Sequence, residues 1–162
     1  MALMVIDVGM VAAAVLAAIF AWAGAAKLSR PDDTAAGFRE LGLGPAPALA
    51  RIVPGVELIL AVALLAAPRL GGAAVIVLLA GFSVVLIRAL LTGVEVRCAC
   101  FGQAGGPPLS AVDLVRNGLL GGLAGLALAA GVEPRLPRPA AVGVVAALVL
   151  AGAGLLLLLR RR

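Results

Sequence analysis

Histidine and tyrosine are absent from this sequence of 162 residues, and aromatic residues make up only 3% of it. The missing histidine removes the side chain that most often serves as a general base or as a metal ligand. The net charge is +5, but the basic residues are not interleaved with aromatic ones, so the sequence does not indicate nucleic-acid binding. Any proton chemistry must therefore depend on cysteine, aspartate, glutamate or water.

Charged residues are also scarce, at 13% of the chain against about 25% in typical soluble domains. Hydrophobic residues make up 64%, and the mean hydropathy is +1.19. Such a chain has too few polar groups to cover its apolar surface in water. The sequence therefore predicts one integral membrane domain over residues 1–162, in contact with the lipid bilayer of a cell (inner or plasma) membrane.

Five apolar stretches are long enough, or nearly long enough, for a spanning helix, which needs about 20 residues. Backbone groups in lipid must be satisfied within the segment, and the alternating pattern of a membrane barrel is absent, so helices are predicted. The expected fold class is all-α, with a four-helix transmembrane core and a fifth C-terminal transmembrane helix. The predicted spans cover approximately residues 5–26, 51–67, 70–92, 109–130 and 140–159.

The loops between these spans carry local signals. Ser29–Asp32 indicates that one helix stops and another begins, and "DDTAAGFREL" is predicted to form a short interfacial helix that the following Gly and Pro residues end. Pro68–Arg69 predicts a tight turn. Ser110, followed three residues later by Asp113, is a capping box that predicts the start of the fourth spanning helix.

The two cysteines of the chain, Cys98 and Cys100, lie together in the irregular segment "VRCACFGQAGGPP". A disulfide between them would close a small, strained ring, which makes a poor structural cross-link and an easily reduced bond. Arg97 and the N-terminus of the following helix both favour the thiolate. A redox dithiol is the favoured interpretation. Inert apolar cysteines remain an alternative. A metal site is a further alternative, but structural zinc takes four ligands, and we assign no residue to a metal.

Ionisable and polar residues inside the predicted spans are a second candidate feature. Glu57, Arg88, Arg116 and Asn117 lie within about two turns of the membrane face that carries the cysteines. An unpaired charge at this depth costs a few kcal/mol or more. We therefore expect Glu57 to pair with Arg116 or Arg88 beneath the cysteine loop, either to order the bundle alone or to hold that loop in place.

Charge counts predict the orientation. Because successive spans alternate in direction, the first loop, the cysteine loop and the C-terminal tail share one face, and this face carries ten of the 13 Lys and Arg residues. Basic residues are enriched in cytoplasmic loops, so the cysteine loop is predicted to be cytoplasmic and the N-terminus outside. A role in disulfide formation for an exported protein would instead place the cysteines outside, where disulfides persist.

The segment "RCACFGQAGGPPLSAVDLVRNGLL" resembles the Cys-x-Cys-Phe-Gly segment and the following Arg-Asn helix of the MauE family of membrane proteins. The N-terminal half is similar to the related DoxX group in three features: the Lys-Leu end of its first helix, its "LGLGP" loop and a glutamate early in the second span. The resemblance covers about Val11 to Ala130 and leaves out the predicted fifth helix.

The resemblance implies a membrane protein of thiol redox chemistry, with Cys98 and Cys100 as the exchanging pair. It further implies a thioredoxin-like partner similar to MauD, and a role in maturing the disulfide-rich small subunit of methylamine dehydrogenase. The arrangement of a cysteine pair before the last core helix is also similar to that of quinone-linked disulfide generators, so a quinone stays open as a cofactor. Unlike those proteins, this chain has no second cysteine pair. The supporting residues expected are Arg97, Phe101, Gly102, Glu57, Arg88, Arg116, Asn117, Ser110 and Asp113.

A second class of function also stays open. The chain could be a non-enzymatic scaffold, or a quinone- or lipid-binding subunit of an oxidoreductase complex. The Gly- and Ala-rich helices, which allow close packing, and the polar residues around Glu57 favour this alternative. Alkylation of the cysteines discriminates between the two, because it would leave a scaffold functional.

Overall fold

A computed structural model describes residues 2–93 and 108–129, with side chains described from Val8 onward. These residues form five helices in chain order. They are α1 (Ala2–Ser29), α2 (Pro31–Glu40), α3 (Ala46–Ala66), α4 (Pro68–Thr92) and α5 (Ala111–Ala129).

Several predictions made from the sequence lie outside the described residues. They concern the cysteine segment and the fifth span, predicted over residues 140–159. The candidate site residues in this group are Arg97, Cys98, Cys100, Phe101 and Gly102.

Four of the helices are long and apolar enough to cross a membrane: α1 from Val8 onward, α3, α4 and α5. They correspond to the first four predicted spans, so the all-α, multi-pass membrane fold is confirmed. The largest difference is at α3, which begins at Ala46, five residues before the predicted start. Its N-cap is Pro45 and its first turn contains Pro47, positions where a helix tolerates proline.

The four long helices form a ring in which each packs on two neighbours: α1 on α3, α3 on α4, α4 on α5, and α5 on α1. All four contribute to one apolar core, whose fully buried members include Leu16, Leu64 and Val75. The outward surface is apolar as well, with Val77 and Leu91 largely exposed. In water, apolar patches of this kind promote association, whereas a bilayer covers them.

The short helix α2 folds back against the bundle. α1 ends at Ser29, and Pro31 starts the new helix, as the sequence predicted. One face of α2, containing Ala35 and Phe38, packs on the first turns of α3 at Ala46. Gly42, with φ +72°, then reverses the chain into α3, in a conformation that glycine adopts readily.

The end of the bundle away from α2 is closed by direct backbone contact. A Cβ atom at Gly72 of α4 would lie 2.8 Å from the carbonyl oxygen of Ala124 in α5, so only glycine fits there. The small residues of α5 that pack inside the bundle are alanines, Ala124 and Ala127. Its glycines behave differently from the expected close packing: a Cβ at Gly118 or Gly122 would meet no neighbouring atom within 4 Å.

Candidate functional site

Buried polar side chains in the described part of the bundle are Lys27, Thr34, Glu57 and Asn117. They all lie toward one end, which we name the polar end. It is formed by α2, the last turns of α1 and α4, the first half of α3 and the first turns of α5. Unpartnered polar groups are costly in a membrane, and within the described residues every buried side-chain nitrogen and oxygen has a hydrogen-bond partner.

A buried ion pair joins α1 to α3. Lys27 Nζ lies 2.6 Å from Glu57 Oε1 and 2.8 Å from Oε2, and both side chains are less than 10% exposed. The prediction that Arg88 or Arg116 would pair with Glu57 is therefore wrong. α1 continues to Ser29, three residues beyond its predicted end, and so carries Lys27 inside the bundle instead of in the loop.

Helix geometry brings the two charges together. A Cβ at Gly24 would lie 3.0 Å from the carbonyl oxygen of Pro54, so α1 and α3 approach closely one turn from each charged residue. The helices are antiparallel, which places Lys27 nearer the polar end than Glu57. Because each Cα–Cβ bond tilts toward the N-terminus of its own helix, the two side chains extend toward each other along the bundle axis.

α2 is tied to the residue that makes this ion pair. The Thr34 hydroxyl lies 3.3 Å from the carbonyl oxygen of Lys27 and 2.9 Å from that of Arg30, to which it donates. Thr34 is only 3% exposed, so these contacts lie within the protein. The hydroxyl thus fixes the α1–α2 corner over the buried charges.

The start of α5 is a capping box, as the sequence predicted. The Ser110 N–H donates to Asp113 Oδ2 at 3.0 Å, and the Val112 N–H donates to Ser110 Oγ at 3.3 Å. The other carboxylate oxygen of Asp113 lies 3.3 Å from Arg116 Nη1. Arg116 is therefore bound to the first turn of its own helix.

A hydrogen bond also links α4 to α5. The Asn117 side-chain amide lies 3.4 Å from Ser83 Oγ, and Ser83 in turn donates to the carbonyl oxygen of Leu79 at 2.8 Å. Asn117 is 6% exposed and faces the interior. Arg88, which was expected near Glu57, has an exposed side chain on α4.

A family model described as "Methylamine utilisation protein MauE" matches residues 5–130. This range holds the four spanning helices, α2, the polar end and the Cys-x-Cys segment. The chain belongs to the MauE family. Comparison with curated proteins and with solved structures found no match.

Membership of the MauE family implies a role in methylamine utilisation. The match covers more than three quarters of the chain and ends at residue 130, before the predicted fifth span. The part of this chain that the family model matches therefore includes the four-helix bundle with its polar end.

The polar end of this MauE-family protein is also where the cysteine segment is attached. α4 ends there at Thr92, followed by Gly93 in a left-handed conformation with φ +64°. The chain is next described at Pro108, just before the Ser110 cap of α5. The described residues on both sides of the two cysteines thus belong to the end that holds the buried polar groups.

Sequence reasoning missed three members of the polar end: Lys27, Thr34 and Ser83. The predicted first span ends at residue 26 and so leaves Lys27 in the loop, although the Lys-Leu pair at the end of the first apolar run is a usable signal. Ser83 is the one hydroxyl within the apolar run of α4 before its final residue, and a lone hydroxyl there often bonds a neighbouring helix. Thr34 gave no sequence signal of its own.

Proposed function

We propose that this chain is a membrane thiol–disulfide redox protein in which Cys98 and Cys100 form the reactive pair. The observation that carries the proposal is the family match, which spans the Cys-x-Cys segment and implies methylamine utilisation. The described geometry supports it, because Gly93 and Pro108 flank the cysteines at the polar end. In this role the protein supports maturation of disulfide-bearing proteins, by resemblance the small subunit of methylamine dehydrogenase.

The proposed chemistry is thiol–disulfide exchange. The thiolate of one cysteine attacks a sulfur atom of a partner disulfide, so a mixed disulfide forms and one partner thiolate leaves. The second cysteine, after losing its proton, attacks the mixed disulfide and releases the other partner thiolate. The partner gains two electrons and two protons, and Cys98 and Cys100 lose the same number as they join in a disulfide. Run in reverse, these steps oxidise a partner dithiol.

A partner must supply the second dithiol or disulfide. The chain has two cysteines in all, so it holds no further pair that could pass electrons onward. A thioredoxin-like protein of the MauD type fits this requirement, because its own cysteine pair exchanges through the same mixed disulfide. The proposed protein is therefore one component of a two-protein relay.

The polar end would position the reactive segment. The Lys27–Glu57 pair joins α1 to α3, the Asn117–Ser83 bond joins α5 to α4, and the capping box fixes the first turn of α5. The N-terminus of a helix carries partial positive charge, which favours a nearby thiolate. We therefore assign Glu57 and Ser110 positioning roles and no direct part in exchange.

We keep the cysteine end on the cytoplasmic side as part of the proposal. The support is the excess of Lys and Arg on the face that carries the first loop, the cysteine loop and the tail. In this orientation the cysteines would take electrons from a cytosolic thioredoxin-like protein.

The proposal is tested by trapping the mixed disulfide. Each single variant, Cys98→Ser and Cys100→Ser, keeps one thiol and loses the resolving one, so it should accumulate a covalent adduct with its partner that a reductant releases. The control is the double variant, which should form no adduct and should not restore methylamine growth in a host lacking its own family member.

Two results would contradict the redox role. One is the absence of an adduct in both single variants together with full growth of the double variant. The other is unchanged function and partner binding after complete alkylation of the cysteines. Either result would favour the scaffold or the quinone- or lipid-binding subunit.

A further inference from the structure

Helix α5 carries a row of small residues on the side turned away from the bundle. Its interior side holds the buried Asn117 and Ala124, whereas Gly118 and Gly122 are exposed. A Cβ atom at Gly118, Gly122 or Gly125 would meet no neighbouring atom within 4 Å among the described residues. The row follows the helix in alternating steps of four and three residues, and we name it the α5 seam: Ala111, Val115, Gly118, Gly122, Gly125 and Ala129.

The α5 seam has no partner within the described part of the chain. A glycine inside a helix costs about 1 kcal/mol relative to alanine, yet no described contact needs these three glycines. Small residues in such a row allow the backbones of two membrane helices to approach closely. Among the four spanning helices α5 also has the smallest buried share, 17% against 44% for α1. The seam therefore suits one further helix.

The remainder of the chain supplies a candidate of matching length and pattern. The span predicted over residues 140–159 is about 30 Å long as a helix, and α5, with 19 residues, is about 28 Å long. Residues 130–139 connect the two, so the second would return antiparallel to α5. It repeats the alternating steps of four and three, with small residues at four of six positions: Ala140, Val144, Ala147, Ala151, Gly154 and Leu158.

One antiparallel register sets the two rows opposite each other along their whole length. With position 140 opposite position 129, Gly125 faces Val144 and Val115 faces Gly154. Each valine thus meets a glycine, and large residues opposite small ones allow facing helices to interdigitate. Steps of four and three are also the spacing of helices that cross at about 20° and stay in contact over many turns.

We propose that residues 140–159 pack as an antiparallel helix along the α5 seam in this register. A second copy of the chain could use the same glycines, but the attached segment has the advantage of an intramolecular reaction. The return would bring Arg160–Arg162 to the polar end, where the sequence already concentrates Lys and Arg. This packing does not depend on the proposed redox role.

Disulfide cross-linking of the full chain tests the register. In a Cys98→Ser/Cys100→Ser background, Gly122→Cys/Ala147→Cys places two thiols opposite each other, within reach of a disulfide if the helices pack closely. The protein is reconstituted in phosphatidylcholine vesicles, oxidised with copper phenanthroline, denatured and treated with a maleimide polymer that shifts its mobility. It should lose both free thiols and stay monomeric on a non-reducing gel, as should Gly118→Cys/Ala151→Cys.

Two control pairs separate the face from the level along the helix. Gly122→Cys/Val149→Cys moves the second thiol two residues on, about 200° around its helix. Gly122→Cys/Gly154→Cys keeps the face but lies about two turns away. Both control pairs should keep their free thiols.

A further pair of variants tests the seam itself in the Gly118→Cys/Ala151→Cys protein. Gly122→Leu fills the seam and should abolish the cross-link. Gly81→Leu adds the same bulk at an exposed glycine of α4, where a Cβ also meets no atom within 4 Å, and should leave the cross-link intact.

Three results would overturn the proposal. Free thiols in both facing pairs would mean that lipid or another protein covers the seam. A disulfide-linked dimer as the main product, formed by the Gly122→Cys single variant as well, would assign the seam to a second copy. Equal loss of thiols in the facing and control pairs would mean that residues 140–159 have no fixed position against α5.

Discussion

The two ends of the helix bundle are closed in different ways. At the end away from α2, backbones touch: a Cβ at Gly71 would lie 2.6 Å from the Leu64 nitrogen, and one at Gly72 would lie 2.8 Å from the Ala124 oxygen. At the polar end α1 and α3 also approach closely at Gly24, but charged and polar side chains join the helices as well. Backbone contact through glycine is the ordinary way for membrane helices to pack, whereas buried ionisable groups are costly there and are functional candidates.

The difference makes the polar end the candidate for a function beyond packing. A buried ion pair gives little net stability compared with apolar residues of the same size. Net stability alone is therefore a weak reason for a buried Lys27–Glu57 pair between α1 and α3. The cysteine segment is attached at the same end. Substitutions at this end are therefore best compared with matched substitutions at the other end.

The largest expected contrast is an all-or-none labelling difference between the two ends. With a membrane-impermeant maleimide on intact cells, we expect Cys98 and Cys100 to be unlabelled, because the basic face is predicted to be cytoplasmic. Arg69→Cys in a Cys98→Ser/Cys100→Ser background places one thiol at the opposite end and should be labelled. Labelling of the native cysteines and protection of the position-69 thiol would reverse the proposed orientation.

Breaking the ion pair should be the largest stability effect. Lys27→Met or Glu57→Gln alone leaves one buried charge without its partner, which costs about 3–5 kcal/mol in unfolding free energy. The double variant Lys27→Met/Glu57→Gln removes both charges and should recover most of the loss. Reversible denaturant unfolding of the purified protein in detergent measures all three. Additive losses in the double variant would show that the two groups are not coupled.

A substitution at the opposite end should destabilise without touching the thiols. Gly72→Ala brings a Cβ atom within 2.8 Å of the Ala124 oxygen, and overpacking of this kind costs about 1–3 kcal/mol. Gly81→Ala on the same helix meets no atom within 4 Å and should raise stability by up to about 1 kcal/mol through helix propensity. Alkylation rates of Cys98 and Cys100 should be unchanged in both, and a large change in the Gly72 variant would mean that the two ends are coupled.

Loss of the α5 cap should have a smaller effect on stability and a specific effect on reactivity. Ser110→Ala removes the hydroxyl that accepts from the Val112 N–H and should cost about 1 kcal/mol. Because the first turn of α5 adjoins the cysteine segment, the alkylation rate of the thiols should change as well. Ser110→Thr keeps a capping hydroxyl and should behave like the wild type; an equal loss in both variants would exclude the cap as the cause.

The smallest expected effect is at the α4–α5 hydrogen bond. Ser83→Ala should lower the unfolding free energy by about 0.6 kcal/mol, the average for such bonds between membrane helices. Asn117→Leu should lower the unfolding free energy by a similar amount. The loss in the double variant should be smaller than the sum of the two single losses, because both come from one contact. Fully additive effects would mean that the amide and the hydroxyl act independently.

Much of the fold could be predicted because it depends on length and hydropathy along the chain. Four apolar runs are each as long as a membrane is thick. The helix start at Pro31 and the capping box of Ser110 and Asp113 depend only on residues a few positions away in the sequence. The start of α3 was missed because Pro45 and Pro47 were interpreted as loop residues, although both fit the first turn of a helix.

The partner of Glu57 could not be predicted because it depends on three-dimensional placement. The sequence gives the depth of a residue along its helix, but not the rotation of that helix about its axis or the helix that faces it. Arg88 has a suitable depth and yet is exposed. Lys27 was overlooked because a boundary error of three residues moved it from the bundle into the loop.

The short link between α3 and α4 has a consequence for assembly. Ala67 alone separates the two helices, so they form one tight helical hairpin. Synthesis proceeds from the N-terminus, and the helices that carry Lys27 and Glu57 are both complete before α5 is made. Both partners of the ion pair are therefore available before α5 is made. The cysteine segment follows α4 in the chain and is therefore synthesised after both partners of the ion pair.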